Sequence, residues 1–213
     1  MTRKLLIVAA LTASLSASAE AQLCAGTASF AAGRMRAGVG AEFPTGGKAY
    51  GGSLTWSHRS GAYFGGEITR VNPNGAAESA TDLQANFGYQ SSLDLGKTRF
   101  CPTAHFGMTN RPNNQQSVTH YALGGTFGQA LSSSDNMTLA PSLGVSWVHF
   151  SSGGASNSWI EATVGAGFIF NRDVTVTPML RLPFDQAGGD PTFGFAVAYN
   201  FGRPGVTGGR RRR

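Results

Sequence analysis

Thr192-Phe193-Gly194-Phe195-Ala196-Val197-Ala198-Tyr199-Asn200-Phe201 is the stretch that decides the fold of this chain. Every odd-numbered position in it carries a large apolar side chain, and every even-numbered one a small or polar side chain. Successive side chains on a strand point to opposite faces, so a period of two means an extended segment with one greasy and one polar side. Working outward, the same alternation recurs about ten times from Arg34 to Phe201, each time over roughly ten residues ended by a turn.

The segments read Arg34–Phe43, Ala49–His58, Ala62–Val71, Thr81–Gln90, Thr98–Met108, Ser117–Gln129, Thr138–Phe150, Trp159–Phe170, Val174–Pro183 and Thr192–Phe201. In the first, Met35, Ala37, Val39, Ala41 and Phe43 oppose Arg34, Arg36, Gly38, Gly40 and Glu42. The fourth sets Leu83, Ala85, Phe87 and Tyr89 against Asp82, Gln84, Asn86, Gly88 and Gln90, and the seventh and eighth repeat the division. Slipping any of these by one residue would exchange the faces, so register is well specified. No window holds apolar residues at i, i+3, i+4 and i+7 together with a cap, which argues against helices.

In a soluble β-protein the apolar rows would pack on one another as a core. Here one apolar row faces a row of Gly, Ser, Thr, Ala, Asn and charged residues in every segment. Such a sheet is satisfied by closing on itself with its apolar side in lipid. The expected fold is all-β: a closed antiparallel transmembrane β-barrel of ten strands, with eight as the alternative. Ten is even, as a barrel with both chain ends on one side requires, and segments of about ten residues suit a tilted membrane strand. Outward aromatic residues gather near segment ends (Phe43, Tyr50, Trp56, Phe64, Tyr89, Phe100, Trp147, Phe170 and Phe201), as an interfacial girdle demands. The connections should alternate short and long. His58–Gly61, Ser132–Asn136 and Asn171–Asp173 are short, while Asn72–Ala80, Thr109–Gln116, Ser151–Ser158 and Phe184–Pro191 are longer. Ser91–Lys97 reads as a longish turn. The competing architecture is a secreted soluble β-sandwich.

Residues 1–19 read as a cleaved export signal: Arg3 and Lys4, an apolar stretch from Leu5 to about Leu15, then Ala17-Ser18-Ala19. Residues 20–33 follow as a periplasmic N-terminal segment, 34–202 as the barrel, and 203–213 as a basic disordered tail. The formal net charge is +6, yet ten Lys and Arg face ten Asp and Glu between Gln22 and Gly202, so the body is neutral. The excess lies in the signal and in Arg203 and Arg210 to Arg213. A folded basic stripe for nucleic acid is therefore absent from the pattern, and no nucleic-acid partner is expected. Cys24 and Cys101 suit an oxidising compartment, and their placement near one rim predicts a disulfide.

The signal together with Arg34 to Phe201 resembles the small bacterial outer-membrane β-barrel proteins, the OmpA/OmpX-like and porin-family-like barrels. Val197, Tyr199 and Phe201 are similar to the terminal assembly signal of those proteins, although Gly202 to Arg213 follow here. The resemblance implies residence in the outer membrane of a Gram-negative cell. It also implies contact with membrane lipids and lipopolysaccharide, delivery by the barrel assembly machinery, and a monomer.

Inward positions hold Arg34, Arg36, Glu42, Glu67, Asp82, His105, His120, Glu161 and Arg181. Opposite charges in a narrow lumen should pair and obstruct it, leaving a structural barrel or a narrow passive pore without catalytic activity. A surface-interaction or adhesion barrel is the alternative. A further one is an outer-membrane lipid A-modifying hydrolase, because His149-Phe150-Ser151 followed by Glu161 resembles the His-x-Ser plus Glu arrangement of lipid A deacylases. The resemblance would make Ser151 the nucleophile, His149 the base and Glu161 the orienting group. Ser152 stands where that pattern has asparagine, and parity sends His149 and Ser151 outward but Glu161 inward. The four histidines lack metal-ligand spacing, and no cofactor is expected.

Overall fold

The structure is a computed structural model, and its described residues are 35–58, 61–75, 78–95, 98–111, 117–134, 136–171, 173–184 and 189–201. The expected signal, the N-terminal segment with Cys24, Arg34 and the basic tail lie outside them. Among the described residues there are strands and no helix: β1 (Met35–Phe43), β2 (Gly47–Ser57), β3 (Ala62–Pro73), β4 (Ala80–Tyr89), β5 (Ser91–Leu95) and β6 (Thr98–Asn110), then β7 (Val118–Gln129), β8 (Leu131–Ser134), β9 (Met137–Ser152), β10 (Ala155–Phe170), β11 (Val174–Phe184) and β12 (Thr192–Phe201).

Ten of these are long, and each pairs antiparallel with the long strands before and after it. β1 also pairs with β12, from Met35↔Phe201 to Phe43↔Phe193, so the sheet closes. Closure gives every long strand a partner on both sides. No row of backbone N–H and C=O is then left to hydrocarbon, where each unsatisfied group costs several kcal/mol. The end carrying Met35 and Phe201 is called the base below, and the opposite end the mouth.

The ten segments expected from alternation match the ten long strands to within a few residues. Three connections differ. The turn expected at 132–136 is partly strand, because β8 pairs with the start of β9. The turn expected at 91–97 is partly strand: β5 folds onto β6 through an irregular register between Ser91 and Leu95. The loop expected at 151–158 is a tight hairpin, with Ser152 opposite Ala155. Its two turn residues, Gly153 and Gly154, have φ of 59° and 86°. A two-residue turn with both φ values positive matches the twist of paired strands, and glycine adopts it without a Cβ clash. β9 and β10 therefore reach 16 residues each. They project beyond β11, whose pairing to β10 stops at Ile160↔Phe184.

Polarity is inverted relative to a soluble protein. Val39 is 66% exposed and Phe106 56%, whereas Arg36 on the opposite row of β1 is 5% exposed. Leu83, Val145 and Phe195 are all exposed on the outer wall. So continuous an apolar surface is not sustained in water and is what lipid contact requires. The exposed aromatics form two bands, Trp56, Phe64, Tyr89, Phe170 and Phe201 toward the base and Phe43, Tyr50, Trp147 and Phe193 toward the mouth. Within them Trp56 and Phe64 meet at 5.2 Å and Tyr199 and Phe201 at 5.4 Å.

Close strand approach depends on particular glycines. At Gly51, facing the lumen on β2, an added Cβ would press on the Ile68 carbonyl oxygen and lie 2.6 Å from Thr69 Oγ1. Gly51→Val should therefore destabilise the barrel by about 1–3 kcal/mol, the usual range for overpacking. At Gly46 a Cβ meets nothing within 4 Å, so Gly46→Ala should leave stability unchanged. Urea midpoints read from the mobility of unboiled samples check both.

Candidate functional site in the barrel lumen

Alternation on five different strands places five charged side chains on the inner wall toward the mouth. Glu42 comes from β1, Glu67 from β3, Asp82 from β4, Glu161 from β10 and Arg181 from β11. Arg181 Nη2 donates to Glu42 Oε1 in an ion pair. The two strands are not adjacent, so the side chains meet across β12. Gly194 of β12 lies opposite both Glu42 and Met179. A Cβ there would stand 3.1 Å from Glu42 Cγ and 3.3 Å from Met179 Cγ, so glycine leaves the room in which the pair forms.

Arg181 feels the charges of Glu42, Glu161 and Glu67, in that order. Thr69 Oγ1 donates to Glu67 Oε1 at 3.0 Å. Asp82 forms a second centre: Thr109 Oγ1 and His120 Nε2 each donate to its Oδ1 at 2.7 Å. A carboxylate can only accept, which fixes the proton on the Nε2 side. His120 rests over Gly107, where a Cβ would collide with its ring. His105 Nδ1 donates to Asn86 Oδ1 at 2.8 Å on the same wall. The cluster thus sets four carboxylates against one guanidinium and two imidazoles, which is an acidic waist.

The structure brings together Glu42, Glu67, Asp82, Glu161 and Arg181, as inward parity implies. Arg36 faces inward but sits apart, near the base, opposite Asn200, and Arg34 lies outside the described residues. Arg99 also faces inward on the parity of Cys101 and was legible by the same rule. What alternation does not reveal is a ring ladder on the inner wall at the mouth. His120 stacks on Phe150 at 5.1 Å, and Phe150 on Trp159 at 4.9 Å. The β7–β9 register, with His120 opposite Phe150, and the β9–β10 register together set these rings side by side.

The hydrolase constellation is not assembled. His149 and Ser151 lie on the outer row of β9, while Glu161 is on the inner row of β10 opposite Ser146. His149 Nδ1 instead hydrogen-bonds with Ser158 Oγ at 2.7 Å, on the exposed face of the projecting hairpin. Cys101 faces inward near the base with no exposed surface. Its expected partner, Cys24, lies outside the described residues.

No protein-family model matches this chain, and no curated protein matches it. Among solved structures, the β-domain of the Bordetella autotransporter BrkA superposes with a TM-score of 0.53 at 12% identity, over 81% of this chain and 100% of that one. An outer membrane channel from Pseudomonas putida F1 gives a TM-score of 0.45 at 11% identity, over 88% and 100%. LpxR from Salmonella typhimurium gives 0.40 at 7%, over 79% and 100%. The last two are too distant to carry an argument. With its closed ring of ten long antiparallel strands and the BrkA likeness, the chain has the fold of bacterial outer-membrane β-barrels.

The waist should respond asymmetrically to substitution. Glu42 and Arg181 keep 30% and 39% of their side-chain surface, so the pair is worth only about 1 kcal/mol. Glu42→Ala leaves Arg181 beside Glu67 and Glu161 and should cost no more than that. Arg181→Met leaves three glutamates without their cation and should cost roughly 1–3 kcal/mol. Urea unfolding of the two variants, compared at one ionic strength, checks the order.

Proposed function

We propose that this barrel resides in the outer membrane as a structural or narrow passive-pore element without catalytic activity. One observation carries the reading: an apolar outer wall encloses a polar inner wall on which Glu42, Glu67, Asp82, Glu161 and Arg181 converge at one waist. The outer wall would meet membrane lipids and lipopolysaccharide, and the barrel assembly machinery would insert the chain. Closure leaves none of the ten long strands with a free edge for a second copy to pair with, which favours a monomer. Surface interaction is the second reading, and the projecting β9–β10 hairpin is the observation in its favour.

Fractionation tests the location. The protein should sediment with outer membranes, require detergent for release, and run faster on gels when unboiled. Release into the periplasm without detergent ends the proposal.

A waist of four carboxylates and one guanidinium focuses negative potential, so any current through the lumen should prefer cations. Reversal potentials in planar bilayers under a salt gradient measure this preference. Glu67→Gln with Glu161→Gln should lower the cation-to-anion permeability ratio severalfold; anion-selective steps from the unsubstituted protein would refute the assignment.

We also propose the Cys24–Cys101 disulfide. It is supported by the complete burial of Cys101 and by the absence of a free thiol among the described residues. Alkylation of denatured, non-reduced protein should label no cysteine, and two labels per chain would remove the bond.

A further inference from the structure

Charge on the lipid-facing wall is confined to one place. On the outward rows of the ten long strands, Lys48 of β2 and Arg70 of β3 are the only Lys, Arg, Asp or Glu among the described residues. Their strands are neighbours, with Lys48 opposite Asn72 and Tyr50 opposite Arg70. The two cations are therefore diagonal neighbours on one face, about 7–8 Å apart and within reach of one another's long side chains. Both are exposed, and neither makes an ion pair or hydrogen bond with a described residue. Glu42 on the adjoining β1 is turned to the lumen, where it pairs with Arg181. Two uncompensated charges on a wall that meets hydrocarbon are tolerated only at its edge, where an anion can reach them. They do stand at the edge. Tyr50 belongs to the mouth-side aromatic band, and Arg70 lies between Tyr50 and Thr81, so a phenol and a hydroxyl flank the guanidinium.

The same strand pair is recessed just below the cations. Gly52 and Gly66 stand on the outward rows, and with Leu54, Ile68, Trp56 and Phe64 they line an open apolar groove. Packing does not require these glycines. A Cβ at Gly52 would meet the Gly38 carbonyl oxygen at 3.5 Å, and one at Gly66 the Gln84 carbonyl oxygen at 3.7 Å, both ordinary contacts.

We propose that β2 and β3 form a seat for one phosphorylated lipid, its phosphate between Lys48 and Arg70 and an acyl chain in the groove. Charge complementarity selects the headgroup: the guanidinium matches phosphate oxygens with paired N–H donors, and the ammonium adds a second charge. The surrounding hydrocarbon selects the chain. The longer connections, from β3 to β4, β6 to β7 and β11 to β12, all leave at the mouth, which is the outer end in barrels of this kind. Resting on the outer-membrane location proposed above, the lipid is then lipopolysaccharide, whose phosphorylated saccharide carries the acyl chains.

The test measures binding of fluorescently labelled lipopolysaccharide to the purified full-length barrel in nonionic detergent, by polarisation. Lys48→Gln with Arg70→Gln should weaken binding roughly tenfold, while Arg99→Gln, on the inner row, should leave it unchanged. Gly66→Leu fills the groove and should weaken binding severalfold with both cations in place. Lipopolysaccharide stripped of its phosphates should bind the unsubstituted protein roughly tenfold more weakly, a comparison that needs no variant to fold. Equal binding by the double variant, or of the dephosphorylated lipid, overturns the seat. An equal loss from Arg99→Gln does the same, since it marks general electrostatic attraction. Displacement by inorganic phosphate, with no effect of Gly66→Leu, identifies a free-anion site and overturns the lipid assignment. A dimer that Gly66→Leu breaks puts a second copy in the groove and overturns it as well. Failure in any of these ways leaves the location standing, because fractionation decides that separately.

Discussion

A backbone amide in hydrocarbon has no water to bond with, and the rest of this structure follows from that. A sheet meets the constraint only when its first strand finds its last, as β1 and β12 do over all nine residues of β1. Once the ladder is closed, side-chain polarity must follow the solvent on each side. The outer rows carry Val39, Ile68, Leu123 and Phe195, while the inner rows carry the threonines, glycines and charges. Strand length, pairing order and face assignment are consequences of satisfying the backbone first.

The inner wall has the opposite problem. Its groups are partly withdrawn from water and must satisfy one another. Arg181 does so across a neighbouring strand, which works because Gly194 stands between it and Glu42. Asp82 gathers a hydroxyl and an imidazole from two strands further round the wall. The result is a crosspiece of charge at the waist, formed from residues as far apart in sequence as Glu42 and Arg181. Toward the base the inner wall carries Arg36 and Tyr63 among smaller residues, and the Thr175 and Thr177 hydroxyls are buried without a hydrogen-bond partner. The same geometry keeps the outer wall chemically plain: His149 and Ser151 share a face from which Glu161 is excluded by strand parity.

How much of this was legible follows from where the information is local. Alternation from Arg34 to Phe201 marked out ten strands and their faces, because side-chain direction on a strand depends only on residue parity. The hairpin at 151–158 was misread as a loop because Ala155, Ser156, Asn157 and Ser158 contain no apolar row to alternate. Gly153 and Gly154 were the available signal, since a glycine pair readily makes the tight turn. β5 was misread because it packs against only one neighbour, and nothing in 91–97 announces that pairing. For the site, parity showed that Glu42, Glu67, Asp82, Glu161 and Arg181 share the lumen, but parity cannot give height. Arg36 was grouped with them and sits instead near the opposite end.

The amino-acid order alone determined a β-chain with one apolar and one polar side, and hence a barrel turned outward to lipid, since both rest on neighbours along the chain. Which charges meet was left open, because an ion pair between Glu42 and Arg181 depends on strand register and on the absent side chain at position 194. Distances across a closed ring are set by how the strands stagger against each other. That stagger belongs to the assembled sheet and to no single segment of it.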